Sequence, residues 1–129
     1  MTLSVTPLYA AILTILYIVL SFRVIFIRRG DKVSLGDGDN PTLRARIRVH
    51  ANFAEYAPLG LLLLLLVEVQ GGNAILLHVI GLMLLAGRAA HAWGVSQHPQ
   101  IMPLRVNGMI LTFTALLLGA LVNLWFALY

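Results

Sequence analysis

Four apolar blocks dominate this sequence, at about residues 3–27, 43–69, 74–94 and 104–128. Each is near or above the roughly 20 residues that a helix needs to cross a hydrocarbon core. That spacing constrains the fold more than any other feature. The chain is 60% hydrophobic and 11% charged, so it cannot furnish the polar surface of a soluble domain. The apolar residues come as continuous blocks rather than stripes. The expected class is all-α: one integral membrane four-helix bundle over residues 1–129. The first block exceeds the roughly 7–15 apolar residues of a signal peptide and lacks its basic start and small-residue cleavage site. It is therefore read as a transmembrane helix.

Loops separate the blocks. "RRGDKVSLGDGDNP" and "SQHPQIMP" carry turn-forming Gly, Asp, Asn and Pro, and "QGGN" is a tight turn. Asn40 or Thr42 can cap the second helix, with Pro41 tolerated at its start, and Asn73 can cap the third. Connections this short make neighbouring helices antiparallel. Arg23, Arg28, Arg29, Lys32, Arg44, Arg46 and Arg48 flank the first loop, while Arg88 and Arg105 flank the third. The positive-inside rule then puts loops 28–42 and 95–103 in the cytoplasm and both termini outside. The net charge of +4 sits at helix ends, with no basic face interleaved with aromatics, which argues against a nucleic-acid partner. The chain has no cysteine, so it offers neither disulfides nor a thiol nucleophile, and no metal site is expected.

The second block opens "RARIRVHANFAEYAPLG" and places polar groups where lipid would be expected. With Arg48 at 0° and about 100° per residue, Asn52 falls near +40°, Glu55 near −20° and Arg44 near −40°. They form one stripe; His50 and Arg46 point largely the other way. Glu55 lies roughly 10 Å inside Arg48 along the axis, at a depth where a lone carboxylate is unfavourable unless paired or facing a wet cavity. Arg88 and His91 form an i,i+3 pair at the cytoplasmic end of the third helix, and Arg105 and Asn107 open the fourth. Three helices thus bring an arginine to one membrane level, which suggests a polar cavity for an anionic ligand with some cationic character.

Plainer roles suit the other polar residues. Arg28, Arg29, Lys32, Arg44 and Arg46 fit interfacial anchors, and Arg48–Glu55 also fits a structural pair. Glu68 and His78 sit at outer helix ends and read as interfacial. Asn123 fits an interhelical hydrogen bond, and Trp93, Trp125 and Tyr129 fit an aromatic belt. Pro58 removes a backbone hydrogen bond and is expected to kink the second helix.

"RVHANFAEYAPL", then "GRAAHAWG", then "LRVNGM" resemble the MAPEG family, the membrane-associated proteins in eicosanoid and glutathione metabolism, and within it the small bacterial inner-membrane members. The resemblance covers nearly the whole chain. It implies a four-helix bundle assembled as a homotrimer, with glutathione as cofactor between subunits near the cytoplasmic side. Residue by residue, it implies that Arg48, Asn52, Glu55, Arg88 and His91 bind the cofactor and that Arg105 contacts its thiol. A basic residue among Arg23, Arg28, Arg29 and Lys32 would reach in from the neighbouring subunit. The chemistry is compatible: arginines suit carboxylates, Glu55 an ammonium, and Asn52 can both donate to and accept from a peptide.

The sequence departs from the eicosanoid-making members at Ala51, where they carry Arg, and at Val95 and Met109, where they carry Tyr. The expected function is a glutathione-dependent transferase or peroxidase acting on lipophilic electrophiles. The alternative is a non-catalytic member of the same fold that binds a small anion or a lipid headgroup. A proton-coupled multidrug transporter fits poorly, because the first span holds no acidic residue.

Overall fold

The computed structural model describes residues 3–129. These form four helices: α1 (Val5–Asp31), α2 (Pro41–Val69), α3 (Ala74–Ser96) and α4 (Met102–Leu128). All four are long and apolar enough to span a membrane. They overrun the apolar blocks by a few residues at the cytoplasmic end, so the loops shrink to 32–40 and 97–101. The cause is physical. Hydropathy marks where lipid stops, whereas a helix continues until its backbone groups find other partners. α1 runs on through Arg28 and Arg29 and stops at Lys32, which takes a left-handed conformation with its N–H bonded to the Arg28 carbonyl.

The caps explain the other boundaries. Asn40 accepts from the backbone N–H groups of Thr42 and Leu43, so it, and not Thr42, starts α2. Asn73 accepts from Ile75 N–H and starts α3. α1 has no cap of its own. Instead Glu68, from the far end of α2, accepts from Ser4 and Val5 N–H through Oε1 (2.7 and 2.8 Å) and from Thr6 N–H through Oε2 (2.6 Å). Its carboxylate meets both the unsatisfied donors and the positive end of the helix dipole. Glu68 is accordingly buried in the bundle, at the outer end where the sequence put it but not as an exposed interfacial acid.

α2 is the hub and touches the three other helices; α1 also packs on α3 but makes no contact with α4 among the described residues. The core runs through Leu13, Val49, Phe53, Leu64, Leu84 and Ala115. Large apolar side chains such as Ile15, Phe26, Leu82 and Leu117 point outward, as lipid-facing residues do. The closest approach is between α3 and α4. A Cβ on Gly108 would lie 2.6 Å from the His91 backbone nitrogen, and one on Gly87 would lie 2.8 Å from the Gly108 carbonyl oxygen. Small residues let these backbones touch, the usual means of joining helices in lipid. At the outer end, Asn123 Nδ2 donates to the Leu63 carbonyl oxygen at 3.0 Å, tying α4 to α2. α2 stays helical through Pro58. That proline lines an apolar groove of about 320 Å³ against α1, with Tyr17 and Phe53, and not the polar cavity described next.

Candidate functional site

A cavity of about 600 Å³ opens at the cytoplasmic end, between α2, α3, α4 and the α3–α4 loop. α2 supplies Arg44, Arg48 and Asn52, α3 supplies His91 and Val95, α4 supplies Arg105 and Met109, and the loop supplies His98 and Gln100. Spacing on α2 accounts for its share: residues 44, 48 and 52 recur at i,i+4 and therefore stack on one face. The glycine contact accounts for the rest. Because Gly108 lies against the backbone at His91, α3 and α4 deliver His91, Arg105 and Met109 to the same wall.

The cavity has a strongly cationic lining. Arg48 and Arg105 are exposed to it, and Arg105 Nη1 donates to Gln100 Oε1 at 2.9 Å. His91 is only 6% exposed and makes no side-chain hydrogen bond among the described residues. Most of the ring is covered, but its nitrogens are not cut off from the cavity that it lines, and they stay open to a ligand.

Behind the wall lies Arg88, which is 1% exposed. Its Nη1 donates to Asn52 Oδ1 at 2.6 Å and to the Asn52 carbonyl oxygen at 3.3 Å. Its Nε donates to Thr112 Oγ1 at 2.9 Å, its Nη2 reaches Met109 Sδ at 3.1 Å, and its guanidinium stacks over the Tyr56 ring. Arg88 therefore ties α3 to α2 and α4 at once. It does not line the cavity, so its effect on a ligand passes through Asn52 and Met109. Since arginine can only donate, Asn52 must turn its oxygen inward, and its NH₂ is the group left for the cavity. Asn52 thus offers its NH₂ to the cavity, while Arg88 already engages one lone pair of its oxygen.

Of the residues singled out in the sequence, Arg48, Asn52, His91 and Arg105 meet in this cavity. Glu55 lies just outside its lining, half exposed, with Oε1 at 3.4 Å from Arg48 Nη1. Arg44, His98 and Gln100 are additional lining residues. The helical stripe already contained Arg44, but its position beside a basic loop suggested a lipid anchor. Nothing in the sequence pointed to His98 or Gln100, whose place follows from a short loop folding over the cavity mouth. Arg44 also pairs with Asp37 of the first loop. The Arg44 guanidinium holds the Asp37 carboxyl below the usual carboxylate range.

Val95 and Met109 both face the cavity. Two of the three departures noted in the sequence thus fall inside the site, where a thioether and an isopropyl group stand in the wall; Ala51 does not line it. His50 and Arg46 turn away, as the helical angle requires: His50 stacks on Tyr17 and meets Ser21 Oγ at 3.0 Å.

With this geometry in hand, the chain can be set beside known proteins. It matches the MAPEG family over residues 6–125. It is 38% identical over 122 residues to the inner membrane protein YecN of Escherichia coli (strain K12), covering 95% of this chain and 92% of the relative. The same figures hold for the inner membrane protein YecN of Escherichia coli O6:H1. No solved structure gives a significant match. Four membrane-spanning helices, the polar stripe on α2 and this coverage agree: the chain is an integral inner-membrane protein and belongs to the MAPEG family.

Proposed function

We propose that the cytoplasmic cavity binds glutathione and that the protein is a glutathione-dependent membrane transferase or peroxidase for lipophilic electrophiles. The observation that carries this reading is the convergence of His91, Arg105, Arg48 and Asn52 on one cavity, with the His91 ring nitrogens open to it. About 600 Å³ is within the range of roughly 300–1,000 Å³ typical of small-molecule sites. Family membership supports the same reading.

The donor set fits a peptide with two carboxylates. Arg44 and Arg48 offer guanidinium forks to carboxylate groups, the Asn52 NH₂ offers a donor to a peptide carbonyl, and Glu55 at the rim offers a carboxylate to an ammonium. Bound glutathione would supply a thiolate nucleophile, the group this cysteine-free chain lacks. Arg105 would favour negative charge at the sulfur by Coulomb attraction. His91, set among Arg48, Arg88 and Arg105, serves as a neutral hydrogen-bonding partner for the bound peptide. Val95 and Met109 offer no hydroxyl, so Arg105 carries the activation alone. The proposed assembly is a homotrimer, in which a neighbouring subunit would close the side that leaves Glu55 exposed.

One observation favours the second reading, a non-catalytic binder of a small anion or lipid headgroup: the apolar Val95 and Met109 in the wall. The discriminating experiment is turnover in proteoliposomes with glutathione and either a lipophilic aryl halide or a lipid hydroperoxide. Conjugation or reduction that Arg105→Leu lowers at least tenfold supports the enzyme. Glutathione binding without turnover of any substrate in the panel supports the binder.

A further inference from the structure

A second cationic centre lies on the other side of the bundle, away from the candidate site. Arg23 of α1 donates from Nη1 to Ser96 Oγ of α3 at 3.0 Å. Arg46 of α2 comes to the same level, its Nη1 donating to the Arg23 carbonyl oxygen at 3.1 Å. The Arg46 Nε is buried with no partner. Neither guanidinium meets a carboxylate. The five acidic residues are engaged or distant: Asp31 accepts from Asn40, Asp37 pairs with Arg44, Asp39 sits in the first loop, Glu55 pairs with Arg48, and Glu68 caps α1 at the outer end. Two arginines without a counter-ion, at a depth below the Arg28–Arg29 anchors, call for an external anion.

The surroundings specify which kind. Arg23 and Ser96 stand at the head of a groove of about 480 Å³ between α1 and α3. Below them its walls are Leu16 and Leu20 on one side and Ala92 on the other, with Trp93 at the edge. From Arg23 to Leu16 the groove descends roughly 10 Å along the helix axis toward the bilayer centre. A free anion would use only the head of this feature. A phospholipid would use all of it, with phosphate oxygens on Arg23, the Arg46 charge behind them, an acyl chain along Leu20 and Leu16, and Trp93 at the headgroup boundary.

We propose that the α1–α3 groove is a binding site for one anionic phospholipid of the cytoplasmic leaflet, held by Arg23, with Arg46 braced on the Arg23 carbonyl and adding positive charge behind it. Within one chain this groove shares no lining residue with the α2–α3–α4 cavity.

Trp93 provides the readout, because the chain has only one other tryptophan, Trp125, near the opposite membrane face. The protein carrying Trp125→Phe is reconstituted in vesicles containing phosphatidylglycerol or phosphatidylcholine with brominated acyl chains, which quench adjacent tryptophan. One unshielded arginine favours an anionic lipid by about 1 kcal/mol, so Trp93 should prefer phosphatidylglycerol roughly fivefold. Arg23→Gln should abolish the preference, Arg23→Lys should keep most of it, and Arg29→Gln, outside the groove, should leave it intact. If Arg23→Gln fails to fold, Arg46→Gln should still reduce it. Equal quenching by the two lipids overturns the proposal, as does a preference that survives both glutamine variants. Absence of quenching by either lipid also overturns it, since Trp93 would then be covered by a second copy of the chain.

Discussion

Arg88 holds Asn52 by its side-chain oxygen at 2.6 Å across the α2–α3 interface, and this bond decides which face of the amide the cavity sees. Asn52→Ala removes the shorter of the two acceptors of the buried Arg88 Nη1 and leaves only the backbone carbonyl oxygen at 3.3 Å. The expected loss is about 3 kcal/mol, at the upper end for a hydrogen bond to a charged group. Equilibrium unfolding in mixed micelles measures it. A double-mutant cycle with Arg88→Met should show coupling of about 1 kcal/mol or more. Strict additivity would mean that the two side chains act separately.

Gly108 sets the distance between α3 and α4. Gly108→Ala puts a methyl group against backbone atoms, which cannot yield as a flexible side chain can. It should destabilise the bundle by about 2 kcal/mol and weaken any ligand of the cavity as well, because His91 and Arg105 would separate. Gly30→Ala is the matched control: a Cβ there meets nothing within 4 Å. It should be neutral or slightly stabilising in thermal denaturation followed by circular dichroism.

Glu68 closes the start of α1 by accepting three backbone N–H bonds. Glu68→Ala should destabilise the protein by about 2 kcal/mol. More specifically, it should speed hydrogen exchange in the first turn of α1 while leaving the cytoplasmic half of α2 protected. Uniform loss of protection throughout the chain would contradict a local capping role.

The Asp37–Arg44 pair gives a pH dependence with a defined sign. The folded carboxyl pKa is depressed by the hydrogen bond from Arg44. Its contribution is therefore complete above the unfolded carboxylate pKa of about 3.9 and is lost as pH falls through the lower folded value. The Asp37 carboxyl resonance in a detergent NMR titration should stay in its ionised position from pH 7 down to about pH 4. Both partners are substantially solvent-accessible, so Asp37→Asn should leave the unfolding midpoint unchanged within error.

The spans, the caps at Asn40 and Asn73 and the stripe of Arg48 with Asn52 were legible in the sequence, because each follows from helical period or local capping. Glu68 was legible in position but not in role: its partners at Ser4, Val5 and Thr6 lie more than sixty residues away, and no local signal marks such a cap. Arg88 shows the same limit. Its spacing from His91 put both on one side of α3, yet a small change in helix rotation separates a side chain that lines a cavity from one that braces its wall. The glycine contact between α3 and α4 went unread because Gly87, Gly94 and Gly108 are spread over two helices. Only packing shows that they meet.

The proposed glutathione site consists of Arg48, Asn52, His91 and Arg105. Calorimetric titration of glutathione into the detergent-purified protein tests it most directly, with Arg48→Gln and Arg105→Gln as separate variants. Saturable binding to the wild type is expected, and each variant should weaken it about tenfold or more, as loss of one charge-assisted hydrogen bond of about 1.5–3 kcal/mol implies. A folded wild type that binds no glutathione, or binding that both variants leave unchanged, would contradict it.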